Sequence, residues 1–545
     1  MKAVCREAWS ASRDRMVRVD SGGGGMRSVG TVLFLVVLAT VVATGARRWR
    51  IPAPSLLVVA GLVVALMPGT PEIRVSPEAI GFIVLPPLLY ASAEELPWRE
   101  LRLVWKPVSV LAVGLVLASA AAVGLVASLL TPLTWQMALV LGAVLASTDP
   151  VAVTALGRRL ALPPRVQVLV QAESLFNDAT SLVLFRVTVV VAAASAGVSW
   201  QAAGTEFAQL AGGGILIGGA VAGVVALMRR RTEDPVLETV IALVTPYAAY
   251  VLAEAVHASG VTSVVVAGVV LGGRADRFTN ARIRIQLHAV NGTVVFLLES
   301  VVFSLIGLTL PGQVAALTAT DGLWPLYALA VAATLITVRL LWVLPLSAVV
   351  QRNAGVRPSW RVPAVLTWAG TRGVVPLAAA LSIPVAEGDG SLLGQRPLVL
   401  VLTTSVVVVT LVAQGFTLAD VVRRSGIALE PDHTEREEAS ARCALAAAGI
   451  RRLDEVSDLE AVPDVVADRL RRSLQARLEH ARDRLEEADL AESADQVYRL
   501  LRRDLIRVEA VELQRLYDEH RISDTTRRRL QRSLDLEEAR LDLAR

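Results

Sequence analysis

Leu145-Ala146-Ser147-Thr148-Asp149-Pro150-Val151 interrupts one long apolar run, and Glu173-Ser174-Leu175-Phe176-Asn177-Asp178-Ala179-Thr180 interrupts the next. A carboxylate at bilayer depth is costly and as a rule lines an ion or proton path. Pro150 removes a backbone donor in mid-span and disrupts the helix. Broken backbone at that depth survives only where it is buried in protein or lines a wet cavity, and transporters use the exposed carbonyls and half-helix ends to hold ions. The plainer alternatives are a simple proline kink with a protonated Asp149, and a structural salt-bridge role for Asp178.

Outward from these two stretches, the chain has 545 residues, 54% of them hydrophobic, with a formal charge of +4. Apolar runs of about 20 residues recur from Ser28 to Val422, so the expectation is an all-α integral membrane protein of about 13 spans. Spans 5 and 6 cover 135–157 and 165–194, span 7 covers 207–228, and spans 10 to 13 cover 286–310, 323–350, 362–386 and 397–422. Arginines cluster in the odd-numbered loops: Arg47, Arg48 and Arg50; Arg158, Arg159 and Arg165; Arg229, Arg230 and Arg231; Arg274, Arg277, Arg282 and Arg284; Arg352, Arg357 and Arg361. Even-numbered loops are nearly free of positive charge. The alternation places odd loops and the C-terminus in the cytoplasm and, with an odd span count, the N-terminus outside. Only two cysteines, Cys5 and Cys443, are present, so no disulfide framework or cysteine-rich metal site is available.

Residues 1–27 are expected to be a disordered or non-native extension, because the five basic residues of 1–25 would otherwise have to cross the membrane; translation from Met26 would remove all five. The membrane domain is expected over 28–424. Residues 425–545 turn charged, with leucines such as Leu470, Leu474 and Leu478 at helical spacing. This reads as a cytoplasmic helical tail with a regulatory or dimerisation role, either a soluble hairpin or a dimeric coiled coil. No Gly-rich dinucleotide fingerprint or phosphate loop occurs, no cofactor is called for, and nothing points to nucleic acid.

On span 6, Glu173, Asn177 and Thr180 share one helical side, and Ser174, Asp178 and Ser181 the adjacent side. That polarity is excessive for a lipid-facing surface. Carboxylate, hydroxyl, amide and carbonyl oxygens suit a hard cation, and a carboxylate held between desolvation and a bound cation can exchange one for a proton. Glu299 in span 10, Arg339 in span 11 and Arg372 in span 12 are the balancing charges. Buried ions need partners, so Arg339 is expected to pair with Glu173 or Glu299. Gly370, Gly373 and Pro376 make span 12 a second interrupted helix. If spans 1–6 and 8–13 are two inverted halves joined by span 7, spans 5 and 12 correspond, and paired interrupted helices mark a transporter's midplane site. Gly212, Gly213, Gly214, Gly218, Gly219 and Gly223 in span 7 suit close helix packing. Arg229 to Arg231 read as topological anchors, and His257 as an interfacial histidine near an outer helix end.

Ala146-Ser147-Thr148-Asp149-Pro150-Val151-Ala152-Val153, Glu173-Ser174-Leu175-Phe176-Asn177-Asp178 and Gly370-Thr371-Arg372-Gly373 resemble the bacterial sodium/proton exchangers of the monovalent cation:proton antiporter-1 family. Weaker likenesses lie at Val338-Arg339-Leu340-Leu341 and from Glu299 to Gly307, and the resemblance covers about residues 28–424. It implies a multi-pass protein of the bacterial inner membrane, surrounded by lipid, assembled as a homodimer, each protomer with a dimer domain and a six-helix transport core, and a task in pH homeostasis. It implies Asp178 as the cation- and proton-binding carboxylate, with Asp149, Ser174, Thr148 and Asn177 at the same site and with spans 5 and 12 crossing beside it. Asn177 stands where electrogenic relatives carry a second aspartate, so the resemblance implies electroneutral one-for-one exchange. Arg339 would tie Glu173 to the core. The family's acidic residue in span 3 is missing: Leu85-Pro86-Pro87-Leu88-Leu89-Tyr90 is followed by Ala91-Ser92-Ala93, with Glu94 and Glu95 at the cytoplasmic end.

The expected function is alternating-access exchange of Na⁺, Li⁺ or K⁺ for H⁺ and not an enzyme activity. The competing readings are a K⁺/H⁺ antiporter, a cation channel, and an intramembrane aspartyl hydrolase built on Asp149 and Asp178. Ser174 lacks a Gly-x-Ser-x-Gly elbow.

Overall fold

A computed structural model describes residues 24–49, 52–67, 80–149, 164–193, 200–232, 234–273, 281–317, 322–353, 359–384, 395–427, 431–459, 463–486, 488–519, 521 and 523–543. The described residues are helical throughout, without strands. In hydrocarbon a helix satisfies its own backbone polar groups, so apolar runs this long fold as helices. The chain divides into two compact units, Met1–Ala428 and Leu429–Arg545.

In the first unit, α1 is Gly24–Trp49, α2 Ala53–Ala65, α3 Leu85–Glu94, α4 Trp98–Leu130 and α5 Trp135–Leu145. Then come α6 Pro164–Ala193, α7 Trp200–Arg229, α8 Pro235–Ala255, α9 Gly260–Gly272, α10 Ala281–Ala315 and α11 Trp324–Asn353. Two half-length helices, α12 Arg361–Trp368 and α13 Val374–Leu381, precede α14 Arg396–Ser425. Seven of these helices are long and apolar enough to cross a membrane unaided, and five shorter apolar ones accompany them. The expected count of 13 is therefore not matched helix for helix. Span 12 is two eight-residue pieces, and the part of span 5 from Pro150 onward lies outside the described residues, as do residues 1–23. α4 carries Pro107, and a π-helical stretch, Val110–Leu115, follows within the same 33-residue helix. A proline deletes one rung of the ladder, and the wider turn beyond it accommodates the shifted register.

Glycines set the closest helix contacts. A Cβ on Gly307 of α10 would lie 2.1 Å from the Val58 carbonyl oxygen of α2, and one on Gly61 of α2 would lie 2.2 Å from that of Ser304. The two backbones touch there, as small residues permit. In α7, Gly214 and Gly218 abut the carbonyls of Ser259 and Ser263 at the α9 end, and Gly213 meets Ala258. Gly212, Gly219 and Gly223 meet nothing within 4 Å, so half of the glycine run serves this contact. His257 closes α8 with φ 58°, a left-handed conformation uncommon outside glycine.

Arg229, read from sequence as a topological anchor, also has a buried structural role. Its side chain is 1% exposed and lies 3.3 Å from Glu94 of α3 and 3.4 Å from Glu238 of α8. The next two arginines continue past the helix end, but Arg229 ties three helices together from inside.

Among its described residues the second unit has four helices: α15 Pro431–Leu459, α16 Asp464–Glu486, α17 Ala488–Asp518 and α18 Asp524–Leu543. α15 packs on α16, and α17 on both α16 and α18.

Candidate functional site

α5 stops at Leu145, and Ser147, Thr148 and Asp149 continue without helical structure. The cause is local, because the residue before a proline is driven out of the helical region and Pro150 offers no donor. The second break falls between α12 and α13, at Gly370 to Gly373. These two broken segments hold each other. The Asp149 N–H donates to the Thr371 carbonyl at 2.8 Å, and the Thr371 hydroxyl donates to the Asp149 carbonyl at 2.7 Å. Backbone groups freed by the two interruptions are thus satisfied mutually, as buried backbone requires.

Gly373 makes this approach possible. An added Cβ would sit 1.6 Å from Asp149 Oδ2, so the Asp149 carboxylate lies directly against the backbone that opens α13. A negative group there is favoured by the positive end of the half-helix.

α6 runs alongside the first break and supplies the rest. Asn177 uses both ends of its amide on Thr148: its Oδ1 accepts from the Thr148 N–H at 3.0 Å, and its Nδ2 donates to the Thr148 hydroxyl at 2.7 Å. One turn earlier the Ser174 hydroxyl donates to the Thr148 carbonyl, and one turn later the Ser181 hydroxyl donates to the Ala143 carbonyl at 2.6 Å. The whole broken end of α5 is therefore clamped by one face of α6. Asp178 is 7% exposed and lies beside this clamp. The charged groups that reach it are Asp149 and Arg372, and the Ser147 hydroxyl is in reach, although not in bonded geometry.

The balancing charges expected near Asp178 have these partners. Arg339 grips Glu173 with both terminal nitrogens, one of them 2.9 Å from Oε2, while its Nε donates to the Leu366 carbonyl at 3.0 Å at the end of α12. Both side chains are nearly fully buried. Of the two expected partners for Arg339, Glu173 is the one bound. Glu299 is half-buried and makes no ion pair among the described residues; its acidic neighbours are Asp149 and Glu95. Arg372 is 2% exposed, and its backbone N–H donates to Thr410 of α14 at 3.3 Å. Its Nε and Nη1 have no hydrogen-bond partner among the described residues, and Arg339, Glu173 and Asp178 all lie within electrostatic reach of it.

Asp178, Asp149, Ser174, Thr148 and Asn177 thus come together, with Glu173, Arg339 and Arg372 next to them and Glu299 at the edge. Asn177 is committed to Thr148, which leaves it positioning the site. Sequence reasoning read Gly373 only as a breaker of span 12 and quoted Thr371 without assigning it a role. It missed an ion pair between Arg186 of α6 and Glu254 of α8, whose carboxylate also accepts the Gly260 N–H at 3.2 Å. No group of three or more metal-ligating side chains occurs among the described residues.

Residues 33–424 match the family model described as "sodium/hydrogen exchanger, transmembrane". An uncharacterised Na⁺/H⁺ exchanger of Mycobacterium tuberculosis is 34% identical over 94% of this chain and 96% of its own length. The low-affinity Na⁺/H⁺ antiporter NhaS1 of Synechocystis is 32% identical over 83% of this chain and 86% of its own length. Among solved structures, the sodium proton antiporter MjNhaP1 of Methanocaldococcus jannaschii superposes with a TM-score of 0.60 at 20% identity, covering 75% of this chain and all of that one.

Proposed function

The chain belongs to the sodium/hydrogen exchanger family, a family of transporters, and from that premise we propose that it exchanges one monovalent cation for one proton at Asp178, by alternating access. The observation that carries the proposal is the placement of Asp178. It is enclosed beside two broken segments, each fixed to the other, where the Thr148 carbonyl lies outside any helix ladder and accepts the Ser174 hydroxyl. Oxygen donors of this kind suit Na⁺ or Li⁺, and the same carboxylate can accept a proton instead. K⁺ uses the same donors, so the cation is set by cavity geometry.

Electroneutrality follows from what each charge is committed to. Glu173 is consumed by Arg339. Asn177 is neutral. Among the described residues, the charged groups that reach Asp178 are one carboxylate, Asp149, and one cation, Arg372. One negative charge is then left for either a proton or a cation, and both loaded states carry the same charge. Glu299 neighbours Asp149 and is not among the groups reaching Asp178. We read the protein as a homodimer in the inner membrane with the tail on the cytoplasmic side, in keeping with the arginine-rich odd loops.

The test is cation-driven collapse of an imposed ΔpH in proteoliposomes, with Na⁺, Li⁺ and K⁺ compared at zero and imposed membrane potential. Exchange that is independent of potential and lost in Asp178→Asn is expected. Full exchange by Asp178→Asn would overturn the site, and a current without counter-transport would favour a channel.

A further inference from the structure

The tail carries an apolar face that nothing among the described residues of its own unit covers. α17 buries Ile506 and Leu513 on one side, where Arg502 also binds Glu537 of α18 at 2.6 Å. On another side Leu501 is 59% exposed, Leu505 52%, Val508 60% and Val511 71%. Contiguous exposed apolar surface of this kind marks an interaction site.

The spacing identifies the partner. Leu501, Asp504, Val508, Val511, Arg515 and Asp518 follow one another at intervals of three and four, the a and d positions of a heptad seam. Two of the central positions are charged, Asp504 and Arg515, and both are exposed. In a parallel pair, a packs on a and d on d, so Asp504 would meet Asp504 and Arg515 would meet Arg515. In an antiparallel pair, a packs on d. One register, with its two-fold axis between Glu509 and Ala510, then sets Val508 against Val511, Asp504 against Arg515 and Leu501 against Asp518. The two inner layers are apolar (Val508 with Val511) and oppositely charged (Asp504 with Arg515), the outermost sets Leu501 beside Asp518, and a charged residue in a seam is the device that fixes register and orientation. The surface is complementary to itself about a two-fold axis, as an isologous interface must be.

We propose that α17 pairs antiparallel with α17 of a second copy of this chain, held in register by Asp504 and Arg515. The seam spans little more than two heptads, too short to hold free helices together. Two copies confined to one membrane meet at high effective concentration, which a short seam can exploit. Today Arg515 binds Glu512 and Glu519 on its own helix at the surface, contacts weak enough to exchange.

The experiment uses the full chain in native membranes, with Cys5 and Cys443 changed to Ser and two differently tagged copies co-expressed. Val508→Cys on one copy and Val511→Cys on the other should form a disulfide under mild oxidation. Leu501→Cys on both copies should not, because antiparallel pairing separates those positions by roughly 25 Å at 1.5 Å per residue. Asp504→Arg or Arg515→Asp alone should lower the 508–511 cross-link about fivefold or more, and the two together should restore it; a merely unfolded tail would not recover in the double variant. A 501–501 disulfide would overturn the proposal in favour of parallel pairing. Absence of the 508–511 bond would overturn it in favour of cover by lipid or by the chain's own membrane unit.

Discussion

Replacing Gly373 by alanine tests the crossing of the two broken segments at its tightest point. The new Cβ would stand 1.6 Å from Asp149 Oδ2, 2.4 Å from its Cγ and 2.5 Å from its Cβ. All three atoms belong to one short side chain, and its backbone is pinned to Thr371 by two hydrogen bonds. Rotation cannot clear the contact, so the carboxylate must retreat by roughly 2 Å to regain ordinary van der Waals distance. A misplacement of about 1 Å at a reacting centre can cost on the order of a hundredfold in rate. Initial Na⁺-driven proton flux in proteoliposomes should therefore fall at least about tenfold, or about 1.4 kcal/mol in barrier. The amount and monodispersity of purified protein should change less, because the clash falls on one side chain. Wild-type flux from a well-folded Gly373→Ala variant would refute the argument, since Asp149 could not then stand against Gly373 in the working protein.

Glu173→Gln leaves the Arg339 charge buried without a counter-ion; removing one partner of such a pair costs about 3–5 kcal/mol. Thermal unfolding in detergent should show a large loss, smaller in the Glu173→Gln, Arg339→Gln double variant; an unchanged midpoint in the single variant would count against the pair. Asn177→Asp keeps acceptors for the Thr148 N–H and hydroxyl, now 3.0 and 2.7 Å from the amide, and adds a second carboxylate beside Asp178. Exchange should become sensitive to imposed potential, and full, potential-independent exchange would mean that Asn177 does not set the stoichiometry. Gly307→Val pushes α10 off the Val58 carbonyl, 2.1 Å from the first added carbon, and should destabilise by about 1–3 kcal/mol as overpacking does. Gly219→Ala and Gly223→Ala, which meet open space, should leave the unfolding midpoint unmoved.

What the sequence made legible was whatever a single span declares about itself. A proline after Thr148-Asp149 in an apolar run forces a break wherever the span lies, and Asn177-Asp178 cannot face lipid whatever its neighbours are. Partnerships were harder, because they depend on helix rotation and on residues far apart in the chain. Arg339 could reach either of two glutamates by sequence reasoning; the choice of Glu173, 166 positions away, is made by how α11 turns its face toward α6. The lock between Asp149 and Thr371 bridges 222 positions and runs partly through main chain, so neither side-chain pattern announces it. Arg229 shows a partnership that sequence spacing hides. Three arginines in a row look like an anchor, and two of them lie beyond the helix, but the first falls on the inward face of α7 and meets Glu94 and Glu238.

The same distinction changes what Asn177 means. By composition it reads as one more oxygen ligand, equal to Ser174 or Thr148. Its amide has two ends of opposite character, and both are spent on Thr148, a donor at one end and an acceptor at the other. At the proposed site, a side chain so committed would act on the cation by placing the Thr148 carbonyl rather than by touching it. Selectivity should then depend on Asn177 through geometry, so that even a neutral replacement such as Ala would loosen the end of α5 while leaving the charge of the site unchanged. Aspartate separates these two effects, because it preserves the grip on Thr148 and alters only the charge.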